Sequence, residues 1–308
     1  MPKNTFALLA LALVALTSAC TGGPGASPTP SVPPTPSPAP TPTPSPTFGP
    51  NDISHPTGAT DIVLRLEQGG GFVPINFLIT QAPAFTLYGD GTVIFKQVDT
   101  RMSDPMGGQA ELPWLVGHLD ESQVQALLQF ALSTGHLGNA KENYDNGGIA
   151  DAPSTFFTIN AGGVDKTVSV YALGLEGQPG PDVADRQGFS QLAAVLNNFQ
   201  AQSGVDLGEV TPYDAALYKV VLLDNGFGQP AGQAKDWPWA DLAPSDWPAA
   251  GDEPGRIKML DREHVAKLLD VPNGGHIGVW VKEPDGTIVQ FGIRPLLPDE
   301  IEAFNSAS

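Results

Sequence analysis

The sequence predicts an α+β fold: antiparallel hairpins packed with helices, arranged in two similar halves. Three observations predict it. Asp-Gly-Thr turns at Asp90–Thr92 and Asp285–Thr287 each join two runs rich in β-branched and aromatic residues. Asp and Gly accept the positive φ that tight hairpin turns require. Asp120-Glu121-Ser122-Gln123 is a capping box, in which the third residue after the cap can reach back to the cap's backbone. The order helix, hairpin, helix then occurs twice along the chain, as an ancient duplication would leave it.

The elements follow in order. Residues 61–67 alternate Ile62, Leu64 and Leu66 with mixed residues, a half-buried strand, and Gly69-Gly70-Gly71 stops it. Residues 85–96 form the first hairpin around Gly89-Asp90-Gly91. The helix after Asp120 carries Val124, Leu127, Leu128 and Ala131 at helical spacing and ends at Gly135. Residues 154–160 and 166–173 pair as a second hairpin. A helix over 186–202 lines up Phe189, Leu192, Ala193, Leu196 and Phe199, and Gly204 closes it. Residues 51–205 make the first half and 206–308 the second.

The second half opens with a strand over 215–224. The Trp-, Pro- and Asp-rich stretch that follows, from the 230s to the 250s, gives no element. Asp261 caps a short helix with Val265, Leu268 and Leu269 inward. Residues 277–282 and 287–294 form a hairpin around Pro284-Asp285-Gly286. Pro298 then suits a first helical position, and Asp299 and Glu300 suit a helix N-terminus.

Ahead of the folded part stand an export signal and a stalk. Lys3 precedes an apolar run over 6–16, followed by Thr17-Ser18-Ala19-Cys20. A membrane-spanning helix needs roughly 20 apolar residues, so the run is too short to span. A basic start, an apolar middle and small residues before a cut are the parts of a signal peptide. Cys20 is the only cysteine of the 308 residues. Its place at the cut matches a bacterial lipobox, with residues 1–19 removed and a diacylglyceryl group, bearing palmitate-type chains, on the Cys20 thiol. Two chains on one cysteine anchor stably. The expected location is the cell membrane, lipid-anchored on its extracytoplasmic face. Residues 20–50 are nearly all Thr, Ser, Pro, Gly and Ala, with Pro alternating between residues 28 and 46. Such a segment lacks both apolar side chains and backbone donors, so it is a disordered stalk of polyproline type.

The formal net charge is −18, and loss of the leader, whose only charge is Lys3, makes it one unit more negative. No basic stripe is present, which argues against a nucleic-acid partner. His55, His118, His136, His264 and His276 show no metal-ligand spacing. No G-x-S-x-G elbow occurs. Gly69–Gly71 lacks the lysine and the spacing of a phosphate loop. The stretch from Tyr144 to Asp151 places oxygen-bearing side chains around a flexible turn; calcium is weighed there against an Asx-type loop, which is preferred. Asp299-Glu300 and Asp252-Glu253 are neighbours in sequence, which does not make them an acid–base pair. No catalytic residue, metal or cofactor is expected. Trp237, Trp239 and Trp247, beside Asp236, Asp241, Asp246 and Asp252, are the candidate ligand-binding residues, because flat rings beside carboxylates suit a glycan or other cell-wall component. The competing and preferred reading makes those rings anchors that close one end of the core under a long loop.

The stretches GGGFVP (69–74), APAFTLYGDG (82–91), DAPSTFFTI (151–159) and RPLLPDE (294–300) resemble a family of uncharacterised bacterial lipoproteins with a proline-rich stalk. The resemblance covers most of residues 60–300. It implies the architecture and the extracytoplasmic setting, and carries no catalytic residue over. The function expected is that of a non-catalytic binding or envelope protein; the alternative is an extracytoplasmic hydrolase of unrecognised type.

Overall fold

The computed structural model describes residues 49–73, 80–97, 112–146, 148–175, 182–202, 205–223, 234–249, 255–268 and 276–307. The leader, Cys20 and the proline-rich stretch to residue 48 lie outside these, as do Gly204 and Leu269.

Strands dominate a mixed α+β architecture. The first sheet is built from β1 (Ile62–Gly70), β2 (Phe85–Tyr88), β3 (Thr92–Phe95), β4 (Leu115–His118), β5 (Asn143–Tyr144), β6 (Pro153–Ala161), β7 (Val164–Tyr171) and β8 (Thr211–Pro212). Their order is β5-β7-β6-β1-β2-β3-β4-β8, and only the β5–β7 pair is parallel. Helices α1 (Glu121–Leu132) and α2 (Val183–Asn197) cover one face. The second sheet contains β9 (Leu217–Leu223), β10 (Lys235–Asp236), β11 (Arg256–Asp261), β12 (His276–Lys282) and β13 (Ile288–Pro295) in the order β10-β12-β13-β9-β11. A short helix α3 (Arg262–Ala266) and the terminal α4 (Pro298–Ala307) complete it.

Alternation along β6 shows how the first sheet is used. Thr155, Phe157, Ile159 and Ala161 are buried, while Ser154, Phe156, Thr158 and Asn160 are half-buried on the opposite face. Phe157 and Ile159 join Leu64, Leu66, Val168, Leu128, Phe189 and Leu192 in a core between the sheet and the two long helices. The opposite face is covered over β2–β4: Tyr88, Ile94 and Trp114 share a second core with Tyr218, Val220, Leu222, Phe291 and Ile293 of the second sheet. Burying each such side chain contributes about 1.5–3 kcal/mol.

Several expectations are met locally. Asp120 accepts from Gln123 N at 2.8 Å and Gln123 Oε1 accepts from Asp120 N at 2.9 Å, a complete capping box. Val124, Leu127, Leu128 and Ala131 are the buried residues of α1. Asp90 and Asp285 each accept from the backbone two residues on, in both Asp-Gly-Thr turns.

Other features differ from expectation. β1 does not stop before Gly69. Gly69 and Gly70 pair with Ser154 and Pro153, and the Phe156 ring lies across Gly69, where a Cβ would come within 3.2 Å of it. Glycine there makes room for the ring instead of ending the strand. The second long helix begins earlier, at Val183, and becomes a 3₁₀ turn over Phe199–Ala201. β4 and β11 had no sequence signal of their own. The Trp-rich stretch contains β10 and a 3₁₀ turn over Pro244–Asp246. β8 lies beyond residue 206 yet pairs with β4 of the first sheet, and the described residues from 49 to 307 belong to one compact unit.

The body also starts before the first expected strand. Ile53 N donates to Gln125 Oε1 at 2.7 Å, and Gln125 Nε2 donates back to Ile53 O at 2.9 Å. Gly162 N, in the β6–β7 turn, donates to Ser54 O. His55 is buried between Pro56 O and Glu121.

Candidate functional site

The three candidate Trp residues cluster, but not as a platform. Their ring centroids stand 5.1–6.2 Å apart and each lies within 6.0 Å of the Phe291 ring. Trp239 and Trp247 are each 3% exposed, and Trp237 is half-buried. Stacking on a sugar requires a free ring face, so the proposed platform gives way to core anchoring. The stretch has little regular structure, and large rings are what tie it to the second sheet. Trp237 Nε1 donates to Leu242 O at 2.7 Å and Trp239 Nε1 to His264 O at 2.9 Å. His264, at the start of α3, is held by two carboxylates: Nδ1 to Asp261 at 2.7 Å and Nε2 to Asp241 at 3.1 Å. Hydrogen bonds to Asp261 and Asp241 hold its pKa above the ordinary value.

A second constellation, without a sequence signal, lies where β1 and β2 meet the start of α4. Arg65 Nη2 donates to Asp299 Oδ1 at 2.7 Å, and the Tyr88 hydroxyl donates to the same oxygen at 2.6 Å. Arg65 Nε donates to Thr86 Oγ1. Arg294 grips both oxygens of Glu300 at 2.7 and 2.8 Å, and Glu300 also accepts from Leu297 N. Burial works to neutralise Arg65, but the hydrogen bond and charge of Asp299 outweigh it and hold its pKa above the ordinary value. Burial likewise raises Tyr88. Beside these pairs stands Glu67, half-buried, whose carboxylate accepts no hydrogen bond from the described residues.

A third group joins the end of α1 to the start of α2. His136 Nδ1 pairs with Asp185 Oδ1 at 2.9 Å, and the Tyr144 hydroxyl donates to Asp185 Oδ2 at 2.9 Å. Desolvation opposes ionisation of Asp185, but these two hydrogen bonds prevail and lower its pKa. Burial pushes the Tyr144 phenol up to about 12. His136 adopts φ 61°, a left-handed conformation costly for a residue with a Cβ. Gly188 of α2 gives its ring space, since a Cβ there would lie 2.5 Å from His136 Cδ2. Lys141, over the Tyr144 ring, pairs with Asp182 at 2.7 Å.

The stretch weighed for calcium is otherwise engaged. Asp145 Oδ1 accepts from Asn146 N, Asp151 O accepts from Phe72 N, and the Tyr144 hydroxyl is committed to Asp185. Among the described residues, no group of three or more His, Cys, Asp or Glu is placed to hold a metal ion. No protein-family model, curated protein or solved structure matches the chain.

Proposed function

We propose that this chain is a membrane-anchored extracytoplasmic lipoprotein that works by binding, as an envelope protein carried on a proline-rich stalk. The observation that carries the reading is the leader ending at the only cysteine, Cys20, followed at once by the Pro/Thr/Ser-rich stretch. The acidic body supports it: like charge keeps it from an anionic membrane surface and in solution around the envelope. Its partners on this reading are the membrane, through the anchor, and a glycan or other cell-wall component. The resemblance to stalked lipoproteins points the same way. Within the body, helix–hairpin–helix order in α1, β6–β7, α2 and again in α3, β12–β13, α4 supports descent from a duplicated half. The test is Cys20→Ala. The variant is expected to leave the detergent phase and the membrane fraction, or to stop being processed; unchanged detergent-phase partitioning overturns the anchor.

One observation favours the hydrolase alternative. The carboxylate-oriented His136, in a strained backbone conformation, has the form of an acid–base dyad. A hydrolytic role predicts loss of turnover on His136→Gln without loss of fold.

A further inference from the structure

Among the described residues, two cations and three carboxylates meet where β1, β13 and the start of α4 come together, and they do not balance. Arg65 and Arg294 are the cations; Glu67, Asp299 and Glu300 are the carboxylates. Both cations are already committed. Arg65 Nη2 holds Asp299 Oδ1 at 2.7 Å, and its Nε donates to Thr86 Oγ1. Arg294 holds both oxygens of Glu300. Glu67 is the charge left over. Strand alternation puts it on the Arg65 side of β1, with Phe156 across from it on β6. It is half-buried, and no described residue gives it a hydrogen bond or an ion pair.

We infer that Glu67 makes the docking of α4 sensitive to pH: protonated, it lets Asp299 and Glu300 keep their arginines; ionised, it repels both carboxylates, competes for Arg65 and Arg294, and loosens that end of the helix. The device is independent of the anchor and of any ligand, and goes beyond the binding role proposed above.

The four paired charges around Glu67 sum to zero, so they leave its burial uncompensated. A carboxylate taken from water without a donor is costly in its charged form, and the neutral form is favoured. Burial leads in raising the Glu67 carboxyl above its ordinary range; Arg65 and Arg294 oppose the shift, and Glu300 and Asp299 add to it. The other titratable neighbours, Tyr88 and Tyr213, are phenols that burial holds neutral. The positions of β6 facing this part of β1, Ser154, Phe156 and Thr158, carry no charge. Lifting the start of α4 removes the two like charges and leaves both arginines to Glu67, so ionised Glu67 gains from that movement. A carboxyl whose folded value is raised contributes stability that is complete below its unfolded value, about 4.3, and is lost as pH rises through the folded value. Asp299 and Glu300 act with the opposite sign, because protonating either one frees its arginine. Docking that tightens on mild acidification is therefore the work of the unpartnered carboxyl, and not of the two paired ones.

The experiment uses the full chain in detergent and follows hydrogen exchange in peptides from α4 and from β6–β7, corrected for the intrinsic rate, between about pH 4.5 and about pH 7.5. At the upper pH, α4 of the wild type is expected to exchange several-fold faster than α4 of Glu67→Gln, and the two are expected to converge toward the lower pH. The difference is expected to exceed any seen in β6–β7. Glu67→Ala, which also removes the charge, is expected to behave as Glu67→Gln does and decides if the amide disturbs the packing. Equal α4 exchange in wild type and both variants across the range overturns the inference. So does slower exchange in the wild type at the upper pH, which would make Glu67 a partner that holds the helix. A change of the same size in α4 and in β6–β7 overturns it too, since Glu67 would then act on the whole fold.

Discussion

His264 shows what one side chain can do to an irregular segment. Its two ring nitrogens face Asp261 and Asp241, and its carbonyl takes the Trp239 indole N–H. The imidazolium therefore fastens the Trp-bearing stretch to α3. The hydrogen bonds to Asp261, then Asp241, raise its pKa above 6.5. A group with a raised folded value contributes stability that is complete below its unfolded value. For His264 that contribution is full below about pH 6.5 and is lost as pH rises through the raised value. Asp241 and Asp261 have lowered values: a side-chain bond from His264 leads for Asp241, and the His264 backbone N–H leads for Asp261. Their contribution is present above about pH 4 and lost as pH falls through those lowered values. The clamp is thus closed in the window between. In thermal melts, the gap between wild type and His264→Gln should be widest near pH 6 and shrink toward pH 9. A gap independent of pH would show that the ring acts by packing alone.

At the scale of elements, the start of α4 is held by charge. Asp299 takes donors from both Arg65 and Tyr88. The pair is mostly out of solvent, with side-chain exposures of 9% for Arg65 and 17% for Asp299. Asp299→Asn keeps the shape and leaves Arg65 with an uncompensated charge, which should cost about 3 kcal/mol in urea unfolding. Tyr88→Phe removes one bond and leaves the ion pair, so about 1 kcal/mol is expected. Equal losses would mean that the aromatic packing, not the ion pair, holds the helix. None of this was legible in the sequence. Asp299 looked like a helix-start carboxylate, and Arg65 looked like the polar member of an alternating strand. Their contact joins positions 234 apart in the chain. What was legible was local: both Asp-Gly-Thr turns, the Asp120 capping box and the periodic faces of α1 and α2. β4 and β11 escaped because each is short and is specified by pairing, with β3 and with β9. The Trp residues stood out correctly as large anchors, but composition alone could not distinguish a ring pressed on Phe291 from one facing water.

For the whole molecule, the question is where the stalk ends and the folded body begins. Composition places the stalk's end near residue 50 and the first strand near residue 61. The segment between them is part of the fold. The Ile53 backbone exchanges two hydrogen bonds with the Gln125 side chain of α1, Ser54 O receives Gly162 N, and His55 is buried against Glu121. Pro56 packs so close to Gly89 that a Cβ there would meet its carbonyl at 2.5 Å. The segment therefore ties α1, the β6–β7 turn and the β2–β3 turn together. The proline-rich stretch before it offers almost no apolar side chain to any of these. A chain beginning at Gly49 should melt at the temperature of one beginning at Thr21. A chain beginning at Asp61 loses the two Gln125 bonds and the buried imidazole, and leaves Gln125 and Glu121 without those partners. At about 1 kcal/mol for each lost bond, a fall of several degrees is expected, since about 1 kcal/mol shifts a domain of this size by roughly 2–4 °C. Calorimetry on the three chains decides it. A drop already present at Gly49 would mean that the stalk packs on the body, and no drop at Asp61 would mean that residues 49–60 merely rest on it.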